Sequence, residues 1–185
     1  MDKKLRINKY NVIDDESDLQ RVKEHVQCWL KHMAYIVVRI RGTVNVPSWA
    51  DTTLQLLNLN KKFRATIIPE DPSFVGMLKR VKNYVAWCKA DKDTVKELIE
   101  KRARKQGYKQ IESKDLKTLG YKDSDDLAAA IADGKVALSK LEPIKPWFAL
   151  APPRKGFKKQ TKRMYQEGGI AGENQDLPSL VRSMI

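Results

Sequence analysis

The segment Ala34-Tyr35-Ile36-Val37-Val38-Arg39-Ile40-Arg41 constrains the fold more than any other. A run this rich in β-branched and aromatic side chains loses little on entering a pleated sheet and packs poorly as a helix. It marks the first strand of a sheet, and Gly42 ends it. The alternation puts Arg39 and Arg41 on one face, opposite Val38 and Ile40. That face is expected to look outward, where two guanidinium groups could meet phosphate.

Beyond this strand, helix and strand alternate. The loop Thr43-Val44-Asn45-Val46-Pro47 leads to a helix that begins near Ser48, with Asp51 completing a weak capping box. Trp49, Thr53, Leu54, Leu56 and Leu57 form its apolar stripe. Asn58-Leu59-Asn60-Lys61-Lys62 turns the chain into a second strand, Phe63 to Ile68. Asp71 followed by Pro72 then signals another helix start, since proline at the first helical position gives up an N–H that would have no partner anyway. Phe74, Met77, Leu78, Val81 and Val85 are expected on one face of that helix, and a short third strand is expected at Tyr84-Val85-Ala86-Trp87-Cys88. The order β-α-β-α-β, with helices on one face of a small sheet, defines an α+β layer pair over residues 33–90.

Other stretches read differently. Residues 1–32 are an extension with an amphipathic helix from Leu19 to Leu30, capped by Ser17. Met33, just before the first strand, is a candidate alternative start. Residues 91–146 are helical, with one helix from Thr94 to Lys105 and another from Ser124 to a stop at Gly134. Residues 147–185 open with Trp147-Phe148 and paired prolines. Arg154 to Arg163 then holds six cations in ten residues and no acid. Such a stretch repels itself and is expected to resist compact folding until phosphates order it.

Charge narrows the partner. The chain of 185 residues carries 36 Lys and Arg against 23 Asp and Glu, for a net charge of +13. An excess of this size favours a polyanion, because each neutralised phosphate releases condensed counterions. Nucleic acid is the first expectation, with an acidic protein or a membrane surface behind it. The surplus is uneven. Residues 33–90 hold nine basic and three acidic groups, and residues 147–185 hold seven and three. Residues 91–146 are nearly balanced at thirteen and eleven, as on solvated helix faces.

Enzyme chemistry finds little support. The two histidines, His25 and His32, lie in the extension, so the expected core has no imidazole for acid–base work. Cys28 and Cys88 read as ordinary reduced thiols. Zinc-ligand spacing is absent, and Gly168-Gly169-Ile170-Ala171-Gly172 lacks the Lys-Ser/Thr pair of a phosphate-binding loop. No catalytic residue, metal or cofactor is expected, and no small-molecule substrate. No apolar run approaches membrane-spanning length, and the N-terminus does not read as a signal peptide.

The cationic groups are the candidates. Besides Arg39 and Arg41 they are Lys61, Lys62 and Arg64 around the second turn, Lys79, Arg80 and Lys82 along the second helix, and Arg154, Lys155, Lys158, Lys159, Lys162 and Arg163 in the tail. Phe157 and Tyr165 stand nearby for base stacking. Each group could also be ordinary solvated charge, and composition does not separate RNA from DNA.

Three segments together narrow this further. Tyr35 to Val44 with Thr53 to Leu59 resembles the opening of the universal large-subunit ribosomal protein L thirty family. Asp71 to Val85 is similar to that family's second helix. Pro152-Pro153-Arg154-Lys155-Gly156-Phe157 resembles the archaeal and eukaryotic branch, whose eukaryotic member is called L seven. The resemblance covers Ala34 to about Tyr165. It implies a ferredoxin-like core set on large-subunit rRNA beside neighbouring ribosomal proteins, in the cytoplasmic 50S particle. It also implies RNA contacts at Arg39, Arg41, Gly42, Ser73, Lys79, Arg80, Lys82, Arg154, Lys155 and Gly156, and a close approach of the second helix at Gly76. Ala151 departs from the histidine that many members carry before the paired prolines. The extension is longer than archaeal members usually have. An RNA-processing or RNA-modifying enzyme is the alternative from another class, and a DNA-coating protein is a third reading.

Overall fold

A computed structural model describes residues 33–185 except 112–114, 117, 118, 122 and 155. The expected helix of the extension, its Ser17 cap, His25, Cys28 and His32, and Lys155 of the tail lie outside the described residues.

The first strand, β1 (Ala34–Arg39), lies between β2 (Arg64–Pro69) and β3 (Val85–Lys89) and is antiparallel to both. Helix α1 (Ser48–Leu56) joins β1 to β2, and α2 (Pro72–Arg80) joins β2 to β3. The β-α-β-α-β order is as the sequence implies, with small shifts at the ends. Ser48 is the first helical residue and Pro47 precedes it, so no side-chain capping box forms. Asp71 likewise caps α2 without a side-chain bond, while proline at the first position sets the backbone. Val85 reaches the cluster of Leu78, Val81, Phe74 and Met77 from β3 rather than from the helix.

Every residue of β1 is buried, which explains why the run is apolar almost without interruption: both faces are covered. Tyr35 and Val37 pack with Ala50, Leu54, Leu78, Val81 and Trp87 under α1 and α2. Ala34, Ile36, Val38 and Ile40 pack on the other face. That second face corrects the expected layer pair to three layers. It is roofed by α3 (Lys92–Arg102), α4 (Ser124–Ala132) and α5 (Leu177–Met184), through Val95, Leu98, Leu127, Ile131, Leu177 and Val181. Burying an aliphatic side chain of this size is worth about 1.5–3 kcal/mol, so a face closed by six of them outweighs any single cap or surface pair. Gly134 follows α4 with φ +69° and ends it as expected.

The tail is the larger correction. It folds into the sheet as β4 (Phe148–Ala149), β5 (Gln160–Met164) and β6 (Gly169–Glu173), then closes with α5. The six strands run in the order β4-β2-β1-β3-β6-β5, with β6 parallel to β3 and to β5. The glycine-rich stretch at 168–172 is thus mostly strand. Gly169 stands so close to the Arg163 backbone that a Cβ would overlap it, which fixes glycine there. Residues 33–185 belong to one compact unit.

Candidate nucleic-acid interface

Because β1 is antiparallel to β2 and β3, the end of β1 and the starts of β2 and β3 share one edge of the sheet. Arg41, Lys61, Lys62, Arg64 and Lys82 are brought to this rim by topology alone. Helix α2 runs toward it, so Lys79 and Arg80 occupy its last turn. There they also complement the negative end of the helix dipole.

Arg39 departs from expectation. It shares its face with Tyr35 and Val37, and that face is covered by α1, so its side chain is fully buried. Its Nε donates to the Arg41 carbonyl at 3.0 Å, Nη1 to Leu59 at 2.7 Å and Nη2 to Gly42 at 2.9 Å. Burial lowers its pKa from the usual arginine value, while the charges of Asp51 and Tyr84 act in the opposite sense. The guanidinium is a clamp that holds the rim loop from within, and its donors are committed inside the protein. Gly42 enters the same clamp through its carbonyl, and a Cβ there would meet open space.

Arg41 does reach the rim. Its guanidinium lies 5.7 Å from the Tyr84 ring centre, and Nη2 donates to the Lys162 carbonyl at 2.7 Å. Its Nε is buried without a partner, alone in this among the buried side-chain nitrogens and oxygens of the described residues. The bond to Lys162 joins the core to the tail across 121 positions of sequence. Beside it lies an open groove of ≈ 390 Å³, lined by Arg41, Gly42, Asn45, Lys62, Tyr84 and Lys162 among others. Aromatic rings brace the surrounding cations. Lys62 lies 4.6 Å over Phe63, Arg80 lies 5.4 Å over Trp49, and Arg64 lies 3.9 Å over Trp147. Lys61, Lys79, Arg80 and Lys82 are exposed.

Other candidates fall elsewhere. Ser73 is exposed at the start of α2, the end remote from the rim. Gly76 is exposed and a Cβ would meet nothing within 4 Å, so no packing inside the chain requires glycine there. Arg154 and Gly156 lie in the strap that leads to β5. The Arg154 N–H donates to Ser183 of α5 at 3.2 Å, and Gly156 turns the chain at φ +73°. Lys158, Lys162 and Arg163 are exposed. Lys159 pairs with Asp176 at 2.8 Å, and the Tyr165 hydroxyl donates to the same carboxylate at 3.1 Å. Lys159, then Tyr165, hold the Asp176 pKa below the ordinary carboxylate value, and the same bond raises that of Lys159. The two tail aromatics therefore have internal partners, since Phe157 stacks on Phe63 at 6.1 Å.

Sequence reasoning missed Trp49, Tyr84 and Trp147. Their spacing places the first two in a helix stripe and a strand, yet Trp49 is 44% exposed and braces Arg80. The Arg64–Trp147 pair joins distant parts of the chain and leaves no local trace. Cys88 is buried, and burial, then the nearby Asp91, push its thiol up to about 12, away from the reactive thiolate. Among the described residues no group of three His, Cys, Asp or Glu could hold a metal ion, and no helix is long and apolar enough to cross a membrane.

A small α+β body with a cation- and aromatic-rich rim defines a class of basic scaffold proteins, and similarity supplies the family. A family model described as Ribosomal protein L30p/L7e matches residues 35–85. "Large ribosomal subunit protein uL30" of Nitrosopumilus maritimus (strain SCM1) is 55% identical over 152 residues, covering 82% of this chain and 98% of that protein. The protein of the same name from Cenarchaeum symbiosum (strain A) is 55% identical with the same coverage. That of Staphylothermus marinus is 40% identical over 158 residues, again 82% and 98%. The chain belongs to the Ribosomal protein L30p/L7e family.

Proposed function

We infer that this chain is a structural constituent of the large (50S) ribosomal subunit, which binds rRNA and supports subunit assembly and translation in the cytoplasm. Membership of the family supports the place of work, since the relatives are named as large-subunit proteins. The rim supports the manner of binding. Arg41, Lys62 and Lys162, drawn from three separate parts of the chain, line one open groove. In this reading backbone charge neutralisation supplies most of the affinity, and the shape of the folded RNA selects the site. Residues 33–90 supply most of the rim, residues 91–146 the helical cover, and residues 147–185 the strap that adds Arg154, Lys158, Lys162 and Arg163. Neighbouring ribosomal proteins meet the remaining surface. The protein performs no reaction of its own.

Two measurements test this. In cell extracts the bulk of the protein should sediment with the 50S particle through moderate salt. In filter binding, affinity for large-subunit rRNA fragments should fall steeply and linearly on a log–log salt plot. Binding that ignores salt would refute the electrostatic account. Equal competition by duplex DNA would refute selection by RNA shape.

A further inference from the structure

The near balance of charge over residues 91–146 hides a local cluster. Lys101-Arg102-Ala103-Arg104-Lys105-Gln106-Gly107-Tyr108-Lys109-Gln110-Ile111 holds five cations and no acid. At its turn, Gly107 and Tyr108 both have positive φ, +77° and +61°. For a bulky aromatic residue that conformation is an outlier, kept only where the surrounding structure holds it. The turn is pinned by bridges from Arg104 to Gln110 and from Lys105 to Ile144, and by the Lys145 N–H donating to the Arg104 carbonyl at 2.9 Å. The strained geometry does not bury the ring: Tyr108 is 65% exposed.

The ring instead ends a ladder. Lys145 Nζ sits 3.3 Å from its centroid and 5.5 Å from that of Trp147. Tyr108 and Trp147 meet edge to face at 6.2 Å, and Arg64 covers Trp147 at 3.9 Å. An alternating run of cation and π-surface thus leads from β2, beside the rim, out to the turn at 106–108. Lysine is depleted at the centre of protein–protein interfaces, whereas stacked aromatics flanked by cations are how unpaired bases and their phosphates are held.

We propose that Tyr108 is a stacking platform for one unpaired rRNA base, with Lys109 and Lys145 meeting the adjoining phosphates: a second RNA contact, separate from the groove at Arg41. This rests on the rRNA-binding reading above.

The test is ultraviolet cross-linking of large subunits containing the full chain, with nucleotide adducts mapped by mass spectrometry. A nucleotide adduct is expected on the peptide carrying Tyr108, retained in Tyr108→Phe and lost in Tyr108→Ala. The alanine variant should also bind rRNA about tenfold more weakly, with Tyr108→Phe near wild type. Adducts confined to rim or tail peptides would overturn this inference and leave the rRNA reading intact. A cross-link from Tyr108 to another protein would overturn it as well. Absence of RNA adducts anywhere on the chain would overturn the rRNA reading itself. Cross-linking of the unsubstituted chain decides the matter even if the alanine variant is poorly folded.

Discussion

The two ends of the central three strands carry opposite chemistry on the same scaffold. At the end where β1 stops, Arg41, Lys61, Lys62, Arg64 and Lys82 gather with Tyr84 and Phe63. At the end where β1 begins, Glu70 and Asp71 follow β2 and Asp91 follows β3. There the Tyr35 hydroxyl donates to Glu70 at 2.6 Å, and Arg182 pairs with Asp91 at 3.4 Å. Burial, then the bond to Glu70, push the tyrosine up to about 12, so it stays protonated throughout the physiological range. At one end Glu70 and Asp91 are engaged by the chain itself, whereas at the other the exposed Lys61, Lys62 and Lys82 have no acid partner among the described residues. Charge that the fold has already paired holds the fold together, whereas exposed charge without an acid partner is what the proposed rRNA contact would use.

Arg39 underlies the open end, and its loss should have the largest effect. In Arg39→Met the carbonyls of Arg41, Gly42 and Leu59 lose their donors within the core, which should cost about 3 kcal/mol. A shift in the denaturant midpoint at constant slope would show it. Arg39→Lys should recover only part, because one ammonium cannot reproduce a three-way fork. If Arg39→Met kept full stability but lost rRNA binding, Arg39 would belong with the contact groups after all.

The surface of the same end should respond in binding and not in folding. Neutralising Arg41, Lys62 and Lys162 together to glutamine should flatten the log–log salt slope for rRNA binding by up to about 3, roughly one for each phosphate no longer neutralised. Neutralising Glu70, Asp71 and Glu173 should leave that slope unchanged. Equal effects from the two triples would mean that net charge alone governs binding, and the distinction between the ends would fall. Tyr35→Phe probes it from the acidic side. Loss of one hydrogen bond should cost about 1 kcal/mol of stability and nothing in RNA affinity.

How much of this could be read from sequence depended on how far apart the partners lie. Strands β1 to β3 and helices α1 and α2 were legible because each writes its own period, and Asp71-Pro72 and Gly134 are local punctuation. The tail was not. Ala86 pairs with Gly172, and a parallel ladder between residues so distant has no local signature. Gly168 to Gly172 therefore shows in sequence only as a stretch lacking the marks of a phosphate-binding loop, and the cationic run before it as one that resists compact folding. Arg39 failed for a different reason. Alternation gives which residues share a face, but only the packing of α1 tells which face is closed. Averaging the charge of residues 91–146 concealed the cations around Tyr108. A shorter window would have exposed the run, though not its link to Trp147 and Arg64.

The smallest effect concerns Lys159, which alone among the described cations of the Arg154–Arg163 run is paired with an acid. Asp176 has its pKa depressed, so its contribution to stability is complete above the ordinary value of 3.8 and disappears as pH falls through the lower folded value. Lys159 has its pKa raised from 10.5, so its contribution is complete below that value and disappears as pH rises through the higher folded one. The difference in melting midpoint between the unsubstituted chain and Asp176→Asn should therefore be flat from about pH 5 to 9 and shrink toward zero under strongly acid conditions. The pair is exposed, so salt should diminish the difference throughout. Binding should move the opposite way. Asp176→Asn releases Lys159 and should steepen the salt slope by at most about one, a small gain in contact charge for a small loss of order in the strap. A slope unchanged by this substitution, with the rim triple still effective, would show that Lys159 faces away from the RNA.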